Sequence, residues 1–464
     1  MEINEKIQEL QSEIVSSVQE LIRIKSVEEE ALPGMPYGKG VAAALDKALE
    51  ISKSLGFSTV KHEGYIGYAE YGAGEDYVAV LGHLDVVPEG NDWIYPPYGA
   101  EIHEGKLFGR GTLDDKAPIV AALYGLKAVK DLGLPLSKKV RIIFGTNEET
   151  GCKEMEHYFK KEKPPVAGFT PDAQYPIIYG EKGITIFNAV KDLKVKQTGD
   201  IIIKMINGGH RANMVPDYCE ALAVVKDAES LIKAAKEFKN KTGYSISAEL
   251  DGNNAVIIKS VGVSAHGSLP HLGKNAIMQM FAFLGELPIG KSDLSDYVSF
   301  FNKNVGFETF GESMGVGLED KESGKLSFNV GTINMDEDQI SLGLNLRYPV
   351  TFKFEDMMNP FNAKIETAGI RVENMMHQEP LFFPEDHPLI NSLQKVYTEQ
   401  TGLNAELLAI GGGTYAKEMP NIVAFGPIFP GKPDLDHQAN EYIEIEDLIL
   451  NAKIYAHAIY ELAK

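Results

Sequence analysis

The stretch VAVLGHLDVVPEG (78–90) begins as a buried strand and ends as something else. Four of its first five residues are apolar. Then Gly82, His83 and Asp85 interrupt the run, which closes at Pro88. Residues i and i+2 of an extended chain point to the same side, so His83 and Asp85 share one. A carboxylate there can hold one imidazole nitrogen while the other meets a metal ion. A surface turn is the competing reading of the same residues.

Working outward, YVAVLG (77–82) and KVRIIFG (139–145) are apolar runs ending in glycine, suited to central strands. Between them, KAPIVAALYGLKAVKDLG (116–133) has the spacing of a helix closed by a C-terminal glycine. Strand, helix, strand at this spacing is the βαβ pattern of a helix-covered sheet. Residues 3–24 and 39–56 read as amphipathic helices. After about residue 181 the texture changes. IIIKMING (201–208), NAVIIKSVGVS (254–264), KLSFNVGTINM (325–335) and QISLGLNLRYPV (339–350) are strand-like, and they alternate with helical stretches at 227–239 and 353–366. From about 378 the first texture returns, with a helix at 387–401, a strand near 405–410, NIVAFG (421–426) and a helix at 445–463. The expectation is an α/β domain with a helix-covered mixed sheet (1–181 and 377–464), interrupted by an inserted α+β domain (182–376).

Bulk composition bounds the function. At roughly 100–200 residues per domain, 464 residues allow two or three domains, and 44% hydrophobic with 24% charged residues is ordinary for a globular enzyme. A formal charge of -21 argues against nucleic acid or an anionic membrane as partner, since both demand basic patches. The two cysteines, Cys152 and Cys219, are too few for a disulfide framework or a thiolate metal site. The N-terminus lacks the basic start and apolar stretch of a signal peptide, and no stretch offers the ~20 apolar residues of a membrane span. A cytoplasmic protein is expected.

Three further stretches carry candidate chemistry. In GRGTLDDKAP (109–118), Asp114 and Asp115 precede a helix, where aspartate is also a favoured N-cap. In GTNEETGC (145–152), the adjacent Glu148 and Glu149 point different ways, so one can ligate a metal while the other stays free as a base. An acidic helix N-terminus is the plainer account. In FTPDAQYP (169–176), Asp172 lies among turn residues, and His437 in DLDHQANEY belongs to the returning segment. Each is weak alone. Together they follow successive strands of one sheet, where open α/β sheets place their ligand sites. Two divalent ions sharing a carboxylate need about this many donors. Without cations the carboxylates would repel one another.

In order along nearly the whole chain, GHLDVVPEG, GRGTLDDK, GTNEETG, TPD, GGGTYAK and HQANEY resemble the M20 metallopeptidase family, and within it the PepV-type bacterial dipeptidases. That resemblance implies that His83, Asp114 and Asp172 bind one metal and that Asp114, Glu149 and His437 bind the other, with Asp114 bridging. It implies two ions per chain, zinc first, with manganese or cobalt as alternatives. Asp85 would steady the His83 ring, Glu148 would be the general base, and the peptide after Asp114 would be cis. Leu113 departs from the family, which commonly has small residues there; packing should feel this more than ligation. The inserted region would be a lid. SVGVSAHGSLPHLGKNA (260–276) points to His266, rather than His271, as oxyanion donor. Asn213 in RANMVP and Arg347 in NLRYP match other lid positions. A guanidinium suits a free substrate carboxylate, although Arg347 read alone fits a domain-interface ion pair. Gly412, Gly413 and Thr414 would offer backbone N–H groups to the same carboxylate, or simply form a tight turn.

The implied activity is metal-dependent hydrolysis of dipeptides. Deacylation of N-acyl amino acids (acetylornithine or succinyl-diaminopimelate type) shares the same motifs. A metal-dependent binding protein without catalysis would have no use for Glu148, and a nucleotide-binding protein would need glycine patterns that are missing. Dimeric relatives have short lids and borrow the oxyanion histidine from a partner. The insertion here is about twice that length, which implies a self-sufficient monomer.

Overall fold

The computed structural model describes residues 2–252 and 254–464 and divides into two compact units. The first comprises Met1–Tyr179, Phe383–Leu408 and Gly413–Lys464; the second comprises Gly180–Phe382 and Ala409–Gly412.

The first unit is built on a mixed sheet. Its strands run in the order Ser58–His62, Ile66–Tyr71, Lys139–Gly145, Tyr77–His83, Ala167–Thr170, Ile422–Ala424. The central neighbours, from Lys139–Gly145 to Ile422–Ala424, are parallel, and the first two strands are antiparallel additions. Every residue of Tyr77–His83 is buried, as expected of a parallel strand covered on both faces. This is why it reads as an unbroken apolar run rather than as an alternation. Helix Lys116–Asp131 connects Tyr77–His83 to its parallel neighbour and packs against both and against helix Ile445–Ala463.

Two local expectations are corrected. The stretch 3–24 is two helices, Glu2–Glu9 and Gln11–Ile22. At the joint, Leu10 N–H is shared between the carbonyls of Lys6 and Ile7, a local tightening of the turn. Asp115 does stand at the N-cap of helix Lys116–Asp131, but its side chain makes no capping bond. It is engaged elsewhere, as described below.

The second unit is an eight-stranded antiparallel sheet in the order Ser245–Leu250, Ala255–Val261, Tyr218–Val225, Ile201–Gly208, Ser327–Met335, Gln339–Tyr348, Gly183–Asp192, Arg371–Gln378. Cys219, Ala221, Ala223 and Val225 are buried and alternate with more exposed residues, the period-two pattern of a sheet with one covered face. Helices Ala228–Thr242, Ala276–Glu286, Asp293–Asn304 and Phe354–Glu366 share that core. The fold class is thus α/β with an inserted α+β unit. Among the described residues no helix is long and apolar enough to cross a membrane.

Candidate functional site

Parallel strands of the first unit deliver His83, Glu148, Glu149 and Asp172 to one end of the sheet, and Asp114 and His437 come from other segments. His83 is the last residue of its strand. Glu148 and Glu149 open a short 3-10 turn, Glu148–Thr150, just past Gly145. Asp172 follows strand Ala167–Thr170, and Asp114 lies in the turn before helix Lys116–Asp131. His437 comes from the loop between the short strands Pro427–Ile428 and Tyr442–Glu444, with a left-handed backbone (φ 62°).

Two glycines make the crowding possible. A Cβ on Gly82 would lie 2.1 Å from Asp115 Oδ2, and one on Gly145 would lie 2.0 Å from the Tyr415 hydroxyl. The Asp115 carboxylate occupies the first space and accepts a hydrogen bond from the His83 backbone N–H at 3.1 Å. The Asp114–Asp115 peptide is cis.

The two oxygens of Asp114 face different imidazoles. Oδ1 lies 2.8 Å from His83 Nε2, and Oδ2 lies 3.0 Å from His437 Nε2. Asp172 Oδ2 is 3.8 Å from His83 Nε2, and Glu149 Oε2 is 3.1 Å from His437 Nε2. The adjacent glutamates part company. Donor atoms of Glu149 cluster with His83 and Asp114, and those of Glu148 cluster with His83 and Asp172, each set within 4.8 Å. Asp85 divides its labour. Its backbone carbonyl receives His83 Nδ1 at 2.9 Å, and its carboxylate accepts the backbone N–H groups of Glu148 (3.2 Å) and Glu149 (3.1 Å). Its Oδ1 stands 3.5 Å from His83 Nδ1, so the ring is held chiefly by the carbonyl. That bond makes Nδ1 the protonated nitrogen and turns Nε2 toward Asp114.

The electrostatics fit a cation site. Burial, reinforced by neighbouring carboxylates against the opposing pull of His83, pushes Glu148 up to about 8. Burial and Asp114 likewise raise Glu149 and Asp172. Burial works to raise Asp114 too, but its bonds to His437 and His83 hold it well below the usual carboxylate range. Those bonds, with Glu149, lift His437 to about 11, and His83 is raised despite its burial. Glu149 Oε1 is buried with no hydrogen-bond partner among the described residues. Donors ~2.1 Å from a tetrahedral ion stand ~3.4 Å apart, and the 2.8–3.8 Å separations here bracket that spacing. The residues therefore fit a divalent cation, with His83, Asp114 and Glu149 as one candidate donor set.

The second unit gathers its own group. His266 and Met214 form an isolated bridge, and Gly267 N–H donates to the Asn213 carbonyl at 2.7 Å, so Asn213 and His266 lie on neighbouring segments. His266 Nδ1 contacts Ser268 Oγ at 2.6 Å and accepts the Ser268 N–H at 3.4 Å, leaving Nε2 as the protonated donor. Burial and the nearby Arg347 lower its pKa, which keeps the ring neutral. Arg347 is 4% exposed, donates Nη1 to the Gly411 carbonyl and Nε to Asn345 Oδ1 (3.1 Å), and has no carboxylate partner among the described residues. Burial lowers it to about 10. His271 is exposed, with its ring 6.0 Å from Phe310. Gly412 falls in the second unit and Gly413 and Thr414 in the first. The Thr414 hydroxyl accepts Ala416 N–H (3.1 Å) as the cap of turn Tyr415–Lys417.

Spacing gave no warning of several further groups at the site. Glu441 meets Arg110 across 331 residues (2.6 Å) and accepts N–H groups of the Asp114 turn. The Tyr415 hydroxyl donates to Glu154, and its ring stands edge-on to His83 at 6.1 Å. Asp436 is pushed up to about 9 by burial and by Asp114. Arg110, Tyr415, Asp436 and Glu441 lie inside or beside the motifs that drew attention to His83 and its companions, and only that adjacency could have flagged them.

Residues 79–461 match Peptidase family M20/M25/M40. The chain belongs to this metallopeptidase family. It is 40% identical over 456 residues to "Putative dipeptidase YtjP" of Bacillus subtilis (strain 168), covering 97% of each chain. To a Staphylococcus epidermidis protein named "Putative dipeptidase" it is 37% identical over 466 residues, covering 99% of this chain and 98% of that one. Among solved structures it is similar to aminoacylhistidine dipeptidase from Vibrio alginolyticus (TM-score 0.60, 12% identity, 97% and 96% coverage). It is also similar to the di-peptidase Dug1p from Saccharomyces cerevisiae (TM-score 0.57, 15% identity, 99% and 98% coverage). At these identities the two structures speak for the fold alone.

Proposed function

We propose that this M20 enzyme hydrolyses dipeptides bearing a free C-terminal carboxylate, using two divalent ions, zinc first among the candidates. One observation carries the reading: each oxygen of Asp114 faces a different imidazole, with Asp172 and Glu149 as the flanking third donors. His83, Asp114 and Asp172 would hold one ion, and Asp114, Glu149 and His437 the other. Bound there, the ions would acidify a water molecule and polarise the scissile carbonyl.

The chain's own groups do the rest. Glu148 takes the proton from the attacking water and passes it to the leaving amine. Asp85, gripping the peptide N–H groups of Glu148 and Glu149, holds both glutamates to their separate tasks. His266, with Nδ1 occupied by Ser268, offers Nε2–H to the developing oxyanion. Arg347, buried without an anionic partner among the described residues, receives the substrate carboxylate, and Asn213 and the Gly412–Gly413 backbone add polar contacts. The names of the relatives from B. subtilis and S. epidermidis support a dipeptide over an N-acyl amino acid.

The test is to strip metal with a chelator and restore zinc, manganese or cobalt singly. A dipeptide, a tripeptide and an N-acetyl amino acid are then assayed side by side. Metal-dependent turnover of the dipeptide alone is expected, and preference for the N-acetyl substrate would overturn the assignment. Glu148→Ala should keep its metal and lose kcat by orders of magnitude.

A further inference from the structure

We infer that Glu441 is a positioning residue for the proposed metal centre: its buried carboxylate gathers the 111–114 backbone and so sets where Asp114 stands relative to His437. The inference rests on the dinuclear reading above. Glu441 is fully buried, and Arg110, at 2% exposure, donates Nη1 to its Oε2 at 2.6 Å. Oε1 accepts Leu113 N–H at 2.7 Å, Gly111 N–H at 3.0 Å and, more distantly, Asp114 N–H at 3.4 Å. Gly111 N–H also lies 3.1 Å from Oε2. The Glu441 main-chain carbonyl accepts Gly109 N–H at 3.0 Å.

Every group that hydrogen-bonds to this carboxylate is a donor. Only an acceptor-only side chain satisfies them all, because an amide would turn its NH2 toward another N–H or toward the guanidinium. The connection is also specific in its ends. Glu441 lies four residues beyond His437 in one loop, and the next residue, Tyr442, pairs with Phe108 just before the Arg110–Asp114 turn. The segment bearing one imidazole is thereby fastened to the segment bearing the shared carboxylate, and the 3.0 Å approach of His437 Nε2 to Asp114 Oδ2 is its consequence. Outer partners that orient ligands in this way typically govern metal affinity.

The test follows metal retention of the full-length protein, with no substrate present. Wild type, Glu441→Gln and Glu441→Asp are loaded with cobalt(II) or zinc(II) and titrated with a chelator. Release is read from the cobalt visible absorbance and from zinc content. Glu441→Gln should release metal at a chelator concentration about 10- to 100-fold lower. Glu441→Asp, which keeps the charge but is one methylene short, should fall between. A role confined to folding would lower the urea midpoint of the metal-free protein and leave the release curve in place. Should Glu441→Gln not fold, Glu441→Asp alone decides. Release curves that superimpose on wild type overturn the inference while leaving the dinuclear reading intact. A wild type that binds neither ion overturns both.

Discussion

Gly82→Ala tests the packing on which the site rests. The added methyl would lie 2.1 Å from Asp115 Oδ2 and 3.0–3.1 Å from two Ile119 carbons. To reach an ordinary contact distance the carboxylate must withdraw by more than ~1 Å. That movement breaks its 3.1 Å bond from His83 N–H and leaves a buried donor unpaired, at about 1–3 kcal/mol. Overpacking against Ile119 adds about 1–3 kcal/mol. A loss near 3 kcal/mol should lower the urea midpoint by roughly 1–2 M. Trp93, the chain's single tryptophan, lies in the first unit, so its fluorescence reports that unit. The measurement belongs in excess chelator, where bound metal adds nothing to stability. The decisive comparison is the same substitution in an Asp115→Ala background. There the obstructing oxygen and its hydrogen bond are already gone, and Gly82→Ala should cost about 1–2 kcal/mol less. Equal costs in the two backgrounds would refute the reasoning.

Other outcomes are equally concrete. Asp85→Asn turns an NH2 toward a peptide N–H that now donates to it, so kcat should fall about 10- to 100-fold with KM little changed; steady-state kinetics on a dipeptide would show this. Arg347→Lys keeps the charge but not the planar fork, and KM for dipeptides should rise about 10-fold or more; an unchanged KM would remove Arg347 from substrate binding. If one chain is catalytically self-sufficient, mixing His266→Ala and Glu148→Ala proteins should restore no activity. Glu154, fully buried, is pushed up to about 7 by burial and then by Asp85. The folded protein therefore keeps a proton that the unfolded chain loses above ~4.5. Stability from this group is full below that pH and declines as pH rises through 7. Glu154→Gln should flatten the decline, which is worth on the order of 3 kcal/mol, in urea midpoints taken from pH 5 to pH 8.

Much of the architecture was legible in one dimension. Strands Tyr77–His83 and Lys139–Gly145 and helices Lys116–Asp131 and Ile445–Ala463 lie where apolar periodicity puts them, because burial on both faces leaves unbroken apolar runs. The break at Leu10 was not legible, since a one-residue tightening leaves the apolar spacing of 3–24 almost untouched. Nor was the fate of Asp115. Its position before a helix suits a cap, and only the space left by Gly82 across the strand draws it away. For Asp85 the neighbour of His83 was evident, but the division between a carbonyl for the ring and a carboxylate for the Glu148–Thr150 turn was not.

By itself the sequence determined the inventory: which acids and imidazoles exist, which strands end beside them, and that an α+β segment interrupts an α/β sheet. Such facts follow from local periodicity and composition, which need no knowledge of the chain's path. Tertiary structure alone decided which oxygen faces which nitrogen. The pairing of Arg110 with Glu441, 331 residues away, and of Glu154 with Tyr415 depends on how distant segments cross. In a buried space, where an unpaired polar group is costly, those crossings settle which group meets which.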